Sequence, residues 1–381
     1  YENKEKLKQH LYSVEKVIEK KLNQLLTEND FDMMFVHNIF SLAIHIPVTI
    51  AFYEVIKKTG IPCYAVNHDF YWEGDIRTNP QFDFVKEILD KYFIPDLPNV
   101  RHATINTLNQ KKLEKMGIKA DVNYDVFDFT QPEWKVDEYN KEFRNTFKIK
   151  NNDLVILQAT RIVPNKAIEF TIDLTKQLNL YREKLVGRKL YNGKVFTKDS
   201  EIILLLAGYP EKDRLWYPQK LKKLAKDSGI RANFIGDLIR SERCTTKECK
   251  MYSLWDSYVF SVFVTFPSIW EGWGNQFIEA VFAKKPVVVF QYPIFREDIQ
   301  PEGYKVISLG DEIHGQRDGL YYINEEIIEN AAKQILNYLL DRKMYKSITE
   351  LNYHIGKKNH SYKVLKSYLQ NSLNWAQRIS N

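Results

Sequence analysis

The sequence predicts an α/β protein of two domains, each a parallel β-sheet covered by helices on both faces. Three observations carry this expectation. Short apolar runs of strand length alternate with helical periodicities along most of the chain, the pattern of strand–helix–strand units. The 381 residues exceed one ordinary core and suit two domains. Polar residues gather directly after the apolar runs, where open α/β sheets hold their ligands.

The chain opens with Leu7, Leu11, Val14, Ile18, Leu22 and Leu25 at helical spacing, so residues 4–26 read as one amphipathic helix. The pattern fades after about three heptads, too soon for a coiled coil. Residues 32–36 form a short apolar run ending at His37 and Asn38, a buried parallel strand that opens onto a loop. A helix over 41–58 follows, closed by Gly60 and Pro62. Strands are expected at 63–66, ending in Asn67, His68 and Asp69, and then at 100–105 and 120–124. A second series is read at 153–158, 202–207, 233–235, 261–266 and 286–290. Between the two series, Gln131-Pro132-Glu133 and a charged helix mark the boundary, within 131–152. Residues 352–375 read as a final helix with no strand after it.

Composition limits the function classes. Hydrophobic residues are 44% and aromatic residues 14%, enough for sizeable cores. No run of about 20 apolar residues occurs, so no membrane-spanning helix is expected. The first 21 residues alternate charge with Leu and Val, unlike a signal peptide, and a cytoplasmic location is expected. Cys63, Cys244 and Cys249 make no even-numbered framework and lack metal-site spacing, which suits free thiols in a reducing compartment. The net charge of +6, from 55 basic and 49 acidic residues, is spread along the chain, as in 220–226 and 357–366. That spread argues for solubility and against nucleic-acid binding. It leaves room for weak attraction to nucleotide phosphates or anionic lipid headgroups. No glycine-rich loop followed by Lys-Ser/Thr and no metal-spaced His/Asp cluster is present, which speaks against a kinase, an ATPase or a metallohydrolase.

The most informative stretch runs from Pro267 to Glu279, after one apolar strand and into a helix. Gly272 and Gly274 allow close backbone approach to a ligand. The amides of Asn275 and Gln276 then stand at a helix N-terminus, which favours phosphate. Glu271 in the loop and Glu279 in the helix can face one cleft and accept paired hydrogen bonds from sugar hydroxyls. Glutamates near a helix start also complement its dipole without any ligand. A second stretch, residues 159–166, again links a strand to a helix, and its Arg161 and Lys166 put two fixed cations where a diphosphate would leave. In the first half, His37-Asn38 and residues 67–73 follow strands. His68 and Asp69 stand there beside Tyr71 and Trp72, which suits a sugar site, although a lone histidine is as often structural.

These residues resemble the retaining glycosyltransferases of family 4, which have the GT-B fold: two Rossmann-like domains facing a central cleft, with a C-terminal helix crossing back to the first. The Glu271-x7-Glu279 string, the Arg161/Lys166 pair and His68 carry the resemblance. Residues 36–42 and 68–73 are similar to a subgroup that includes mannosylglucosylglycerate synthases. The resemblance implies domains at 1–145 on the acceptor side and 146–350 for the nucleotide sugar, with 351–381 packing back. It implies that Glu279 binds the ribose, Glu271 holds the donor hexose, and Arg161 and Lys166 bind the diphosphate. His68 would lie near the reacting sugar, with His37, Asn38, Asp69, Tyr71 and Trp72 on the acceptor side. The co-substrate would be a UDP-, GDP- or ADP-hexose, with no cofactor and no metal, and the acceptor a small hydroxylated molecule or a sugar. Family members begin with a strand and a Gly-rich loop where this chain begins with a helix, so that first unit is expected to be absent or reduced. A nucleotide-sugar-binding subunit without turnover and an epimerase of the same fold are the competing readings.

Overall fold

A computed structural model describes residues 3–73, 80–246 and 249–380. The backbone contacts divide into two compact units, residues 1–125 with 363–381, and residues 126–362. Each unit is organised around its own parallel sheet, in line with the α/β fold class read from the sequence.

In the first unit the strands are β1 (Met34–His37), β2 (Cys63–Asn67), β3 (Val100–Thr104) and β4 (Ala120–Val122), hydrogen-bonded in that order and all parallel. Helix α1 (Lys4–Glu28) is capped by Asn3, whose side chain accepts from the amides of Glu5 and Lys6, and it packs along α2 (Ile46–Thr59). Helix α2 starts later than the sequence suggests. Asn38 takes a left-handed φ of 56° and turns the chain, and Pro47 then fits the first helical turn. Helices α3 (Asp83–Tyr92) and α4 (Thr107–Lys115) complete the unit. Its apolar core includes Val36, Phe40, Ile56, Cys63 and Ala65, beside a second cluster of Ile50, Phe84, Ile88 and Tyr92. The C-terminal helix, Tyr362–Ser380, clusters with this unit and sets Trp375 edge-on to Tyr64, with ring centroids 6.3 Å apart.

The stretch predicted as one terminal helix is two. A helix over Arg342–Asn359 ends where His360 leaves helical geometry, and Ser361 forms a parallel bridge with Phe127. Residues after 125 cluster with the second unit because their aromatic side chains are used there: Phe127, Phe129 and Trp134 all pack on Phe282.

The second unit has a six-stranded parallel sheet built from β5 (Leu154–Gln158), β6 (Ile202–Leu206), β7 (Arg231–Phe234), β11 (Phe263–Phe266), β12 (Val287–Val289) and β13 (Ile307–Ser308). Its order is β13-β12-β11-β5-β6-β7. Every residue of β5, β6 and β11 is buried, as expected of strands covered on both faces. Among its helices, α5 (Phe143–Thr146) replaces the longer charged helix expected near the boundary. Two others are α6 (Ile168–Leu180), which follows β5, and α7 (Trp216–Asp227), which follows β6. Next come α8 (Leu254–Phe260), which ends just before β11, and α9 (Asn275–Phe282), which follows β11. The small sheet of β8 (Ile239–Arg240), β9 (Cys244–Thr245) and β10 (Lys250–Ser253), and the hairpin β14 (Gly315–Arg317) to β15 (Leu320–Tyr322), are too short to show a hydrophobic period. Among the described residues no helix is long and apolar enough to cross a membrane.

Winding reverses in this sheet. The chain goes outward from β5 to β6 and β7, and then outward on the other side from β11 to β12 and β13. The carboxyl ends of β5 and β11 therefore flank a topological switch point, the place where open α/β sheets leave a crevice.

The loop ends on the β5–β6–β7 side approach closely. A Cβ added to Gly208 would lie 1.8 Å from the Thr160 carbonyl oxygen, and one added to Gly236 would lie 2.3 Å from that of Gly208. Gly208→Ala is expected to force these loops apart and cost about 1–3 kcal/mol, as overpacking does. A thermal or denaturant midpoint equal to that of the unsubstituted chain would refute the packing.

Candidate active site

The loops leaving β5 and β11 carry the charged residues singled out in the second half, and the fold ties these loops together. Ile269 donates its amide to the Asn165 carbonyl at 3.0 Å, and Asn165 Nδ2 donates to the Trp270 carbonyl at 3.3 Å. Between them Lys166 Nζ donates to Glu271 Oε1 in an ion pair that exposes only 7% of one side chain and 14% of the other. Lys166 ends the 3₁₀ turn Pro164–Lys166, and Ala167 then takes a left-handed conformation at φ 41°, ψ 48° before α6 begins. That conformation costs of order 1 kcal/mol for a residue with a Cβ, and here it redirects the chain from the turn into the helix.

Arg161 leaves the same strand but pairs elsewhere. Its Nη1 donates to Glu211, which also lies 3.7 Å from Arg214 Nε, and about half of the Arg161 side chain is exposed. Its neighbour Ile162 donates its amide to the Tyr209 carbonyl at 3.0 Å, so the Arg161 loop is fastened to the loop after β6.

Glu279 lies in the second turn of α9. Its Oε2 accepts from the hydroxyl of Tyr258, a fully buried residue of α8, at 2.9 Å. Burial pushes the Glu279 carboxyl up to about 7, against the Tyr258 hydrogen bond that favours its ionised form. Asn275 and Gln276 are the first two residues of α9, and their amides precede the first bond of the helix, Ile278 to the Gly274 carbonyl at 3.1 Å. Gly274 is required by packing: a Cβ there would lie 2.9 Å from the Tyr292 hydroxyl, which donates to the Trp273 carbonyl. Gly272 sits in the loop between Glu271 and Trp273. The structure thus joins Lys166 to Glu271 directly. Arg161 and Glu279 stand on the same two strand–loop–helix units, each held by its own partner.

In the first unit, residues from three strand ends converge. His37 Nδ1 lies 3.1 Å from His68 Nε2, and Asp125 Oδ1 lies 3.4 Å from His68 Nδ1. Asn38 accepts from the amides of His68 at 2.7 Å and Asp69 at 3.3 Å, so its side chain fixes the turn after β2. Asp125, with Asp69, raises His68 above the usual histidine range against the pull of burial. Burial lowers His37, and His68 adds to that. Tyr71 and Trp72 are packed within this unit. Tyr71 is edge-on to Trp72 and to Phe93, and Trp72 stacks on Phe70 at 4.5 Å with Lys112 Nζ over its ring at 4.3 Å.

Asp125, Glu211, Tyr258, Gly208 and Gly236 escaped the sequence reading. Tyr258 stands 21 residues before Glu279 and on a different helix, and no local spacing signals that contact. Gly208 and Gly236 carried a usable signal, since each is a glycine placed just past an apolar strand. Among the described residues no three His, Cys, Asp or Glu side chains gather so as to hold a metal ion.

The raised carboxyls make stability depend on pH. An unfolded Glu ionises near 4.5 and folded Glu279 near 7, so between these values the folded chain holds more protons and stability falls as pH rises. Glu169, also raised to about 7, and Asp173, to about 6, act in the same direction. Glu279→Gln keeps an acceptor for Tyr258 and is expected to flatten part of this slope. Denaturation midpoints at pH 5 and pH 7.5 check it, and an unchanged difference between the two would contradict the burial of this carboxyl.

Comparison with known proteins fits this geometry. The profile of the family described as glycosyl transferases group 1 matches residues 140–354. Mannosylglucosylglycerate synthase of Petrotoga mobilis is 42% identical over 330 residues, covering 86% of this chain and 74% of that protein. The enzyme of the same name from Thermotoga maritima is 36% identical over 359 residues, 92% of this chain and 78% of its own length. Among solved structures, Anabaena HepE in complex with UDP and glucose superposes with a TM-score of 0.61 at 15% identity, over 93% of this chain and 81% of that one. Sucrose-phosphate synthase of Thermosynechococcus elongatus does so with a TM-score of 0.60 at 12% identity, over 99% and 81%. At such identities these two speak for the fold alone. The chain belongs to the glycosyl transferases group 1 family and is an α/β glycosyltransferase of the GT-B class.

Proposed function

We propose that this glycosyltransferase is a retaining hexosyltransferase of family 4. It moves a hexose from a nucleoside-diphosphate sugar to a hydroxyl of a small sugar-like acceptor. The likeness to two mannosylglucosylglycerate synthases supports a mannosyl donor and a glucosylglycerate acceptor. The observation that carries the reading is the Lys166–Glu271 pair at the junction of the β5 and β11 loops, within the span of the family profile. It sets a fixed cation and a carboxylate side by side at the switch point, where a sugar phosphate needs both. Retention of anomeric configuration rests on the resemblance to family 4.

In this reading Lys166 and Arg161 stabilise the negative charge that grows on the departing diphosphate. The α9 amides of Asn275 and Gln276 add the positive end of a helix. Glu271 holds hexose hydroxyls, and Glu279 receives the ribose hydroxyls, its carboxyl oriented by Tyr258.

The test is to incubate the protein with UDP-, GDP- and ADP-linked mannose and glucose, with and without glucosylglycerate, and to measure released nucleoside diphosphate. Release that requires the acceptor is expected with at least one donor. Tight donor binding without release would instead identify a binding subunit. Glu279→Ala should weaken nucleotide binding by roughly 10²-fold, the loss of a strong charge-assisted pair of hydrogen bonds. Arg161→Ala should lower kcat by roughly 10²-fold with a smaller effect on donor affinity, as for other groups aimed at developing charge. Unchanged kinetics in either variant would refute the assigned role.

A further inference from the structure

Both ring nitrogens of His68 are engaged inside the first unit, Nδ1 facing Asp125 at 3.4 Å and Nε2 facing His37 at 3.1 Å. His37 is exposed, whereas 31% of the His68 side chain is. The His37 and His68 ring planes lie only 24° apart, which suits an in-plane hydrogen bond between Nδ1 and Nε2. The backbone under this chain is also fixed, because Asn38 accepts from the amide of His68 and turns through its own left-handed φ.

We infer that Asp125, His68 and His37 form a hydrogen-bonded relay whose working end is His37 Nε2, and that this nitrogen meets a hydroxyl of the carbohydrate acceptor. The inference rests on the proposed acceptor class. It moves the sugar-facing role outward from His68 to His37, and makes His68 and Asp125 positioning residues.

The tautomers follow from valence. A carboxylate can only accept, so His68 carries a hydrogen on Nδ1, toward Asp125. Neutral His68 then has a bare Nε2, which accepts from His37 Nδ1–H and leaves His37 Nε2 bare. In that state His37 accepts a hydrogen bond from the acceptor hydroxyl. If His68 gains a proton, its Nε2–H donates to His37 Nδ1, and His37 must carry its own hydrogen on Nε2. The outward nitrogen is then a donor. A proton bound at His68 thus reverses the sense of the hydrogen bond offered at His37, with no movement of heavy atoms. The charged groups facing this relay among the described residues are Asp125 and Asp69. Both favour the protonated form of His68.

The test reads the ring nitrogens themselves. The protein is labelled with ¹⁵N-histidine, and the signals of His37 and His68 among the eight histidines are assigned with His37→Gln and His68→Gln. Above the His68 titration midpoint both rings are expected to carry hydrogen on Nδ1 and not on Nε2. Asp125→Asn, which keeps the shape and removes the charge, should lower the His68 midpoint by about one pH unit or more. His37 protonated on Nε2 at high pH, or an unmoved His68 midpoint, would overturn the relay. If Asp125→Asn fails to fold, the tautomers of the unsubstituted protein decide alone. In steady-state assays His37→Gln should raise the acceptor KM at least about tenfold, the loss of one hydrogen bond of about 1.4 kcal/mol, and leave the donor KM in place. An effect confined to the donor KM would assign His37 elsewhere. Absence of turnover with every donor would reject hexosyl transfer, and the nitrogen signals would still decide whether the relay exists.

Discussion

The candidate site of the second unit is set by a buried ion pair, Lys166–Glu271. Lys166 and Glu271 are nearly out of solvent, on loops that start from adjacent strands and return into different helices. A pair of this kind contributes little net stability, because desolvating two charges offsets most of their attraction. Removing one partner is another matter, since it strands the other charge and costs about 3–5 kcal/mol. The pair therefore specifies a geometry: it holds the β5 and β11 loops in one register, together with the Asn165 hydrogen bonds on either side. In the proposed reaction the diphosphate oxygens compete with Glu271 for the Lys166 ammonium. A carboxylate released in this way becomes available to hexose hydroxyls at the moment the donor arrives.

The sheet order explains why Lys166 and Glu271 meet there. Winding outward from β5 in both directions leaves the β5 and β11 loops without a helix crossing over them. Glycines then decide how near the loops may come. At Gly208 and Gly236 even a methyl group would collide with a backbone carbonyl, so three successive strand ends lie close together. Arg161 stands on this compact ledge and is held by Glu211, from the loop after β6. A rigid ledge suits a cation that must stabilise charge without reorganising first.

What could be read in the sequence was local. The buried strands of the parallel sheets show as unbroken apolar runs, and polar residues follow their ends, where open α/β sheets hold ligands. Glu271 and Lys166 were visible because each lies in the loop that follows such a run, and Glu279 because it lies in the helix after the Glu271 loop. Partners supplied by distant elements were not visible: Tyr258 for Glu279, Glu211 for Arg161, Asp125 for His68. These depend on which side chains arrive once the sheets have formed, and no period in the sequence encodes that. The terminal helix was misread for a related reason. Residues 342–380 keep a helical period throughout, and the break at His360 is set by Phe127, which pairs with Ser361 from more than 230 residues away. The packing of Tyr71 and Trp72 depends on distant elements in the same way. Phe93 stands edge-on to Tyr71, and Phe70 and Lys112 lie against the Trp72 ring.

The strand-end residues singled out in the two units differ in the kind of charge they carry. The second unit offers fixed charge: a lysine and an arginine, each set by a carboxylate, near a helix start. A departing diphosphate is strongly anionic throughout the working pH range, and permanent cations are the appropriate counterpart. The first unit offers imidazoles, whose charge changes near neutrality. An acceptor hydroxyl is neutral before attack and becomes acidic only as the new bond forms. A group that can accept a hydrogen bond in one state and donate it in another matches that change, whereas a fixed cation would match only one end of it. In the proposed reaction the fixed cations serve the leaving group and the titratable rings the incoming hydroxyl, and each kind stands past the carboxyl ends of its own sheet's strands.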